Sequence, residues 1–150
     1  MDYRKATIKD IDKLTEIRIE MRNQREYSAN IDSEQFYFNT IEYYKKHILD
    51  QSFISWIALD NEKIIATSGV CFYSVPPTYT NMTGLVAYVM NMYTKPEYRL
   101  KGIAGTLLDY LLEETKLRKC EKVTLNTSQM GRHLYEKYGF KDVNNYMELY

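Results

Sequence analysis

Tyr93-Thr94-Lys95-Pro96-Glu97-Tyr98-Arg99-Leu100-Lys101-Gly102-Ile103-Ala104-Gly105 joins a strand-forming run to an apolar-faced helix through a short basic loop. The run before it, LVAYVMNMY from Leu85, is rich in β-formers, and Pro96 stops it. From Gly102 onward Ile103, Leu107, Leu108, Leu111 and Leu112 recur on one helical face, with Glu113, Glu114, Lys116 and Arg118 beyond. The first turn of a helix has unpaired N–H groups and carries the positive end of the macrodipole. Gly102, Ala104 and Gly105 allow a phosphate to come close to that backbone, and Lys95, Arg99 and Lys101 outweigh Glu97. Small residues at a helix start equally suit close packing on a sheet, and the spacing leaves both explanations open.

Working outward, residues 3–7 form a short strand candidate, and Thr7 and Asp10 resemble a capping box with Asp in place of Glu. Ile11, Leu14, Ile17 and Met21 then recur at helical spacing. Ser33 is a candidate cap for a second helix with the stripe Tyr37, Ile41, Tyr44 and Ile48. FISWIAL, the turn-like DNEK and IIATSGVCFY predict a hairpin, which Pro76 and Pro77 end in a loop reaching Gly84. Beyond the central helix, KVTLNT predicts a strand, residues 132–137 a short helix stopped at Gly139, and VNNYMELY a last strand. The order predicts one α+β domain over residues 1–150, with helices flanking a twisted, mixed, mostly antiparallel sheet.

A chain of 150 residues with 45% hydrophobic side chains suffices for one such domain. Twenty basic and twenty acidic residues balance, and a pI near 6.7 is not the footprint of a general nucleic-acid binder. MDYRKATIKD has no apolar signal region, and no stretch approaches the roughly 18 apolar residues of a membrane span, so a soluble, cytoplasmic protein is expected. Cys71 and Cys120 have no CxxC spacing and lie far from His47 and His133, which predicts neither a disulfide framework nor a metal site.

Three phosphate-binding strings compete at Gly102. A Walker loop needs GxxxxGK[ST] and a dinucleotide fingerprint needs GxGxxG, and neither is present. Gly102-Ile103-Ala104-Gly105 has the GxxG form of KH domains, against which the neutral pI argues. Arg99-Leu100-Lys101-Gly102-Ile103-Ala104, however, resembles the (Arg/Gln)-x-x-Gly-x-(Gly/Ala) signature of the GNAT superfamily of N-acetyltransferases. About thirty residues on, Leu134-Tyr135-Glu136-Lys137-Tyr138-Gly139-Phe140 is similar to that family's LYEKxGF segment, and the two occur in the family's order. RKATIKDID and the helix pair before the hairpin are similar to GNAT domains as well, so the resemblance covers nearly the whole chain.

The resemblance implies an acetyl-CoA cleft where two parallel strands splay, with pantetheine pairing along Met92, Tyr93 and Thr94. It implies that pyrophosphate rests on the amides of Arg99, Leu100, Lys101, Gly102, Ile103, Ala104 and Gly105, where the side chains of Leu100 and Ile103 should matter little. Tyr135 corresponds to the family's general acid toward the departing CoA sulfur. Ser128 stands where many members carry an asparagine that contacts the cofactor arm. The implied activity is direct acetyl transfer to the primary amine of a small molecule or peptide, without metal, nucleic acid or membrane, in a chain that can pair as a homodimer. The alternative is a non-catalytic acyl-CoA-binding or regulatory domain.

The acceptor side is less determined. From Thr80 to Thr94 there is no Asp, Glu or His, so a base comes from elsewhere, Glu20, Glu26, Asp32 and Glu34 being candidates, or is a water. Residues 10–34 carry seven acids and four bases, a balance of minus three that leaves plus three for the remainder and suits a cationic amine near that half. Tyr27, Phe36, Tyr37, Phe38, Tyr43 and Tyr44 can shape an amine pocket, although their helical spacing suits a core. Cys71, without a nearby His, suits a small core residue better than a nucleophile.

Overall fold

The computed structural model describes residues 1–25, 32–143 and 145–150. Strand β1 (Asp2–Lys5) leads through a 3-10 turn into α1 (Ile11–Arg25). The Thr7–Asp10 capping box is formed, and the Asp10 carboxylate also takes two 2.8 Å bonds from Arg4. Helix α2 (Ser33–Leu49) is capped by Asp32, not Ser33: Asp32 keeps an extended backbone and accepts from the Gln35 N–H at 2.9 Å, while Ser33 is already helical. Of the stripe on α2, Tyr44 is fully buried and Tyr37, Ile41 and Ile48 are half-buried.

The hairpin run divides into β2 (Phe53–Ile54) and β3 (Trp56–Asp60), followed by β4 (Lys63–Ser74). Asn61 and Glu62, both at positive φ, make the two-residue turn whose twist matches the strands. Then come β5 (Leu85–Thr94), α3 (Ile103–Leu117), β6 (Lys122–Leu125) and α4 (Arg132–Lys137). The sheet order is β1-β3-β4-β5-β6 with β2 added beside β4, and every pairing is antiparallel except β5 with β6.

One face is covered by α1 and α2, whose Ile11, Leu14, Ile17, Met21 and Tyr44 pack on Phe53, Ile57 and Tyr93. The other is covered by α3, through Ile103, Leu107, Leu108 and Leu111, and by Tyr135 of α4. Each such apolar side chain contributes about 1.5–3 kcal/mol, which makes this double-sided burial the main support of the sheet. Glu114, on the charged end of α3, is nevertheless buried, where it pairs with Lys5 at 2.5 Å and accepts from Trp56 Nε1.

VNNYMELY does not form the expected last strand in its described residues. A strand needs a neighbour, and among the described residues β6 pairs with β5 alone, so Tyr146, Met147, Leu149 and Tyr150 remain exposed.

Candidate active site

Strand β5 carries a bulge. Its register with β4 shifts between Thr67 and Gly69, which gives β5 one extra residue, and Asn91 takes φ 54°. Asparagine tolerates that conformation, and the bulge is held from several sides. The Thr67 hydroxyl donates to the Asn91 carbonyl at 3.0 Å, the Asn91 amide donates to the Tyr44 hydroxyl at 2.8 Å, and Arg18 donates to Asn91 Oδ1. Strands β5 and β6 stay paired from Val86↔Lys122 to Val89↔Leu125 and then part. The edge from Met90 to Thr94 has no strand partner on that side among the described residues, which leaves a row of backbone groups for another chain-like molecule to pair with.

The loop that follows is shaped by its own side chains. Pro96 opens a 3-10 turn, the Tyr98 hydroxyl donates to Asp60 at 2.8 Å, and Lys101 donates to the Glu97 carbonyl while lying 5.1 Å over the Tyr98 ring. Arg99 folds back, its Nε donating to the Thr94 carbonyl and a terminal nitrogen to Gln24 Oε1. Leu100 and Gly102 both adopt positive φ, 61° and 78°, and Gly102 caps α3. Left-handed residues at a helix start are a backbone form in which successive N–H groups can converge on an anion. Among the described residues none accepts from the backbone N–H groups of residues 100–105.

Ile103 is 2% exposed and packs between α3 and the sheet, so its side chain belongs to the core, while its backbone N–H has no acceptor among the described residues. A Cβ on Gly105 would meet ordinary contacts at 3.7 Å or more, so space does not demand glycine there; Gly102 is instead required by its φ.

Tyr135 is buried on α4, edge-on to Phe140. A Cβ on Gly131 would come within 3.1 Å of its ring, so that glycine makes room for it. Tyr138 latches α4 to the start of α3, its hydroxyl lying 3.2 Å from the Gly105 carbonyl and 2.8 Å from Asp109. Burial and that carboxylate push the Tyr138 hydroxyl above its ordinary pKa. Ser128 lies in the turn before α4, where its Oγ accepts from the Gly131 N–H at 3.3 Å. The latch thus brings Tyr135's helix, Ser128's turn and the amide cradle to neighbouring positions.

On the other face of β5, Met92 and Tyr93 separate: Met92 packs toward α3, whereas the Tyr93 hydroxyl donates to Glu20 at 2.7 Å and accepts from Gln24 at 2.8 Å. Glu20 is therefore engaged, with Lys95 4.0 Å away. Asp32 is spent on capping, Glu34 is exposed, and Glu26 and Tyr27 lie outside the described residues. Burial pushes the Cys71 thiol upward, away from an activated thiolate. Among the described residues no group of three His, Cys, Asp or Glu is placed to hold a metal. No helix among them is long and apolar enough to cross a membrane. Sequence reasoning missed Asn91, Tyr138 and the Asn126 amide, which donates to the Tyr88 hydroxyl at 3.1 Å. The signal for Asn91 was available, since an asparagine inside an apolar strand marks a break in regular pairing.

The family model for the acetyltransferase (GNAT) domain matches residues 51–142, a stretch that includes the bulge, the parted strands, the cradle and α4. The chain belongs to the GNAT acetyltransferase family. A crystal structure of a predicted acetyltransferase with acetyl-CoA from Clostridium acetobutylicum is 40% identical, with 99% of this chain and 95% of that chain covered and a TM-score of 0.93. A GCN5-related N-acetyltransferase from Ralstonia eutropha shares the fold at 19% identity, with 99% and 97% coverage and a TM-score of 0.89. A glucosamine 6-phosphate N-acetyltransferase of Trypanosoma brucei brucei is 29% identical over 75 residues, which are 50% of this chain and 51% of that protein. The chain thus spans about half the length of this curated relative.

Proposed function

We propose that this GNAT protein transfers the acetyl group of acetyl-CoA to a primary amine by direct attack. The observation that carries the proposal is the run of uncommitted N–H groups at residues 100–105, set at the end of a β5 edge that β6 has left. A pyrophosphate fits such a cradle, and a pantetheine arm fits the backbone of Met92, Tyr93 and Thr94. Acetyl-CoA supplies an activated thioester; the chain's residues orient it and manage the protons. Arg99 and Lys101 contribute positive potential while their donors hold the loop in shape. Ser128 keeps its hydroxyl proton for the cofactor arm, because its oxygen is the acceptor in the bond to Gly131.

Tyr135 is the group assigned to the leaving sulfur. Proton transfer from a phenol of pKa ~10 to a thiolate whose acid is ~8.5 is uphill by about 2 kcal/mol, a step that a positioned hydroxyl can take or replace with a hydrogen bond. Deprotonating an alkylammonium of pKa ~10.4 at neutral pH costs about 4.6 kcal/mol. Neither β5 nor β6 carries an Asp, Glu or His to take that proton, so water is assigned the role. The same absence favours the second reading, a domain that binds acyl-CoA without turnover. The name of the trypanosomal relative supports an amine acceptor.

Calorimetric titration with acetyl-CoA, followed by an amine screen of the wild type and Tyr135→Phe, tests the proposal. An enzyme binds acetyl-CoA in both forms and loses about 100-fold or more in kcat in the variant. Binding with no turnover on any amine identifies the non-catalytic domain, and no binding contradicts both readings.

A further inference from the structure

The α1–α2 face of β5 carries positive charge that the cofactor side does not use. Arg18 is half-buried, donates to Asn91 Oδ1, and stands 5.9 Å over the Phe36 ring. A guanidinium has five N–H donors, of which Asn91 takes one. Among the described residues no carboxylate reaches Arg18: Glu16 pairs with Lys13, and Glu20 with Tyr93 and Lys95. Tyr43, Tyr44 and Tyr88 lie within reach of its charge, and Arg22, one turn further along α1, also reaches Tyr88.

Among the described residues, the groups around Arg18 add no negative charge. Burial pushes the Tyr43 and Tyr44 hydroxyls up to about 12, and it raises Tyr88 and the Cys71 thiol as well, so all four are protonated at neutral pH. A partly desolvated guanidinium among neutral donors is incomplete without an anion. Its bond to Asn91 sets Arg18 beside β5 two residues past the last β5–β6 pair, Val89↔Leu125, and on the acetyltransferase reading the acetyl group and the acceptor meet where these strands part.

We propose that Arg18 anchors an anionic substituent of the acceptor, so that the substrate class is a primary amine that also carries a carboxylate or a phosphate. This inference rests on the acetyltransferase reading and adds an anionic group to the cationic amine that charge counting suggests. Two acids of residues 10–34 meet cations from outside that stretch, Asp10 at Arg4 and Glu20 at Lys95, Glu16 pairs with Lys13 and Asp32 caps α2, while Arg18 donates to Asn91 on the strand.

The experiment compares matched amines that differ by one anionic group: common L-amino acids against their amides, and hexosamine 6-phosphates against the free hexosamines. Acetyl-CoA binding is measured first by calorimetry; its absence fails the acetyltransferase reading before any pair is compared. With binding established, the wild type should prefer the charged member of at least one series by about 10- to 100-fold in kcat/KM, mainly through KM. The series that shows the preference separates carboxylate from phosphate. Arg18→Gln should reduce the preference to near unity, and Arg18→Lys should restore part of it. Equal use of charged and neutral members by the wild type, acceptance of no charged amine, or an unaltered preference in Arg18→Gln overturns the inference. The wild-type comparison stands even if the variants fold poorly.

Discussion

The segment from Thr94 to Gly105 and the α1–α2 face both border β5, yet they work by different means. The first presents backbone: two left-handed residues and a helix start line up N–H groups, while Arg99 and Lys101 hold the loop from behind. The second presents side chains brought together from α1, α2, β4 and β5, namely Arg18, Tyr44, Thr67 and Asn91. A backbone site depends on local conformation and tolerates exchange of exposed side chains. A side-chain site changes with each substitution, which suits the role in acceptor choice proposed for this face.

The largest contrast is expected at Gly102. Gly102→Glu puts a carboxylate beside the proposed pyrophosphate, and like charges about 4 Å apart at an effective dielectric constant near 20 repel by about 4 kcal/mol, so acetyl-CoA affinity should fall by about 100- to 1,000-fold. Gly102→Ala has open space for its Cβ and meets the left-handed φ alone, at about 1–2 kcal/mol of stability and less than about tenfold in affinity. Calorimetry on both separates charge from strain, and equal losses would show that conformation is the whole effect.

On the other side of the comparison, Asn91→Ala removes the bonds from Arg18 and to Tyr44 and leaves a Cβ residue at φ 54°. Denaturant unfolding should show a loss of about 2–3 kcal/mol. Asn91→Gly, free of the conformational penalty, should lose less; its own loss reports the side-chain bonds, and the difference between the two variants reports the left-handed backbone penalty.

Why the two regions differed in legibility follows from the same contrast. The proposed cradle is contiguous, so RLKGIA following a strand was enough to single out its amides, and LYEKYGF to single out the helix of Tyr135. The hydrophobic stripe of Ile11, Leu14, Ile17 and Met21 likewise announced α1, since burial follows helical period. The acceptor face joins residues more than seventy positions apart, as Arg18 and Asn91 show, and no local string records that meeting. Charge counting over residues 10–34 likewise does not record that Asp10 pairs with Arg4, or that Arg18 meets Asn91. The expected final strand failed for a related reason: VNNYMELY has the composition of a strand, but a strand also needs a partner edge, which composition does not supply.

A smaller effect concerns the support of α1. The guanidinium of Arg4 holds Asp10 below the usual carboxylate range, with the Thr7 backbone N–H adding to it. A depressed folded pKa stabilises the fold above the unfolded value near 3.9, and the contribution is lost as pH falls through the folded pKa. Asp10→Asn should therefore destabilise by about 1–2 kcal/mol above about pH 5, and the gap to wild type should close toward about pH 2. A gap unchanged across that range would dissociate the ion pair from the effect.

The smallest change is predicted at Leu100, fully exposed at φ 61°. Leu100→Gly relieves left-handed strain of about 1–2 kcal/mol against a glycine entropy cost of about 0.5–1 kcal/mol, a net gain of up to about 1.5 kcal/mol in thermal or denaturant unfolding. Acetyl-CoA affinity should stay within about threefold, because the cradle donates from the backbone; a large loss would mean that the Leu100 side chain itself takes part.

Amide NMR of the protein titrated with acetyl-CoA tests the central claim most directly, because it observes the proposed N–H donors themselves. The account predicts that the largest shifts fall on the amides of residues 100–105 and on Met92, Tyr93 and Thr94. Binding that leaves these signals in place while moving others, or no shifts at saturating acetyl-CoA, would contradict it.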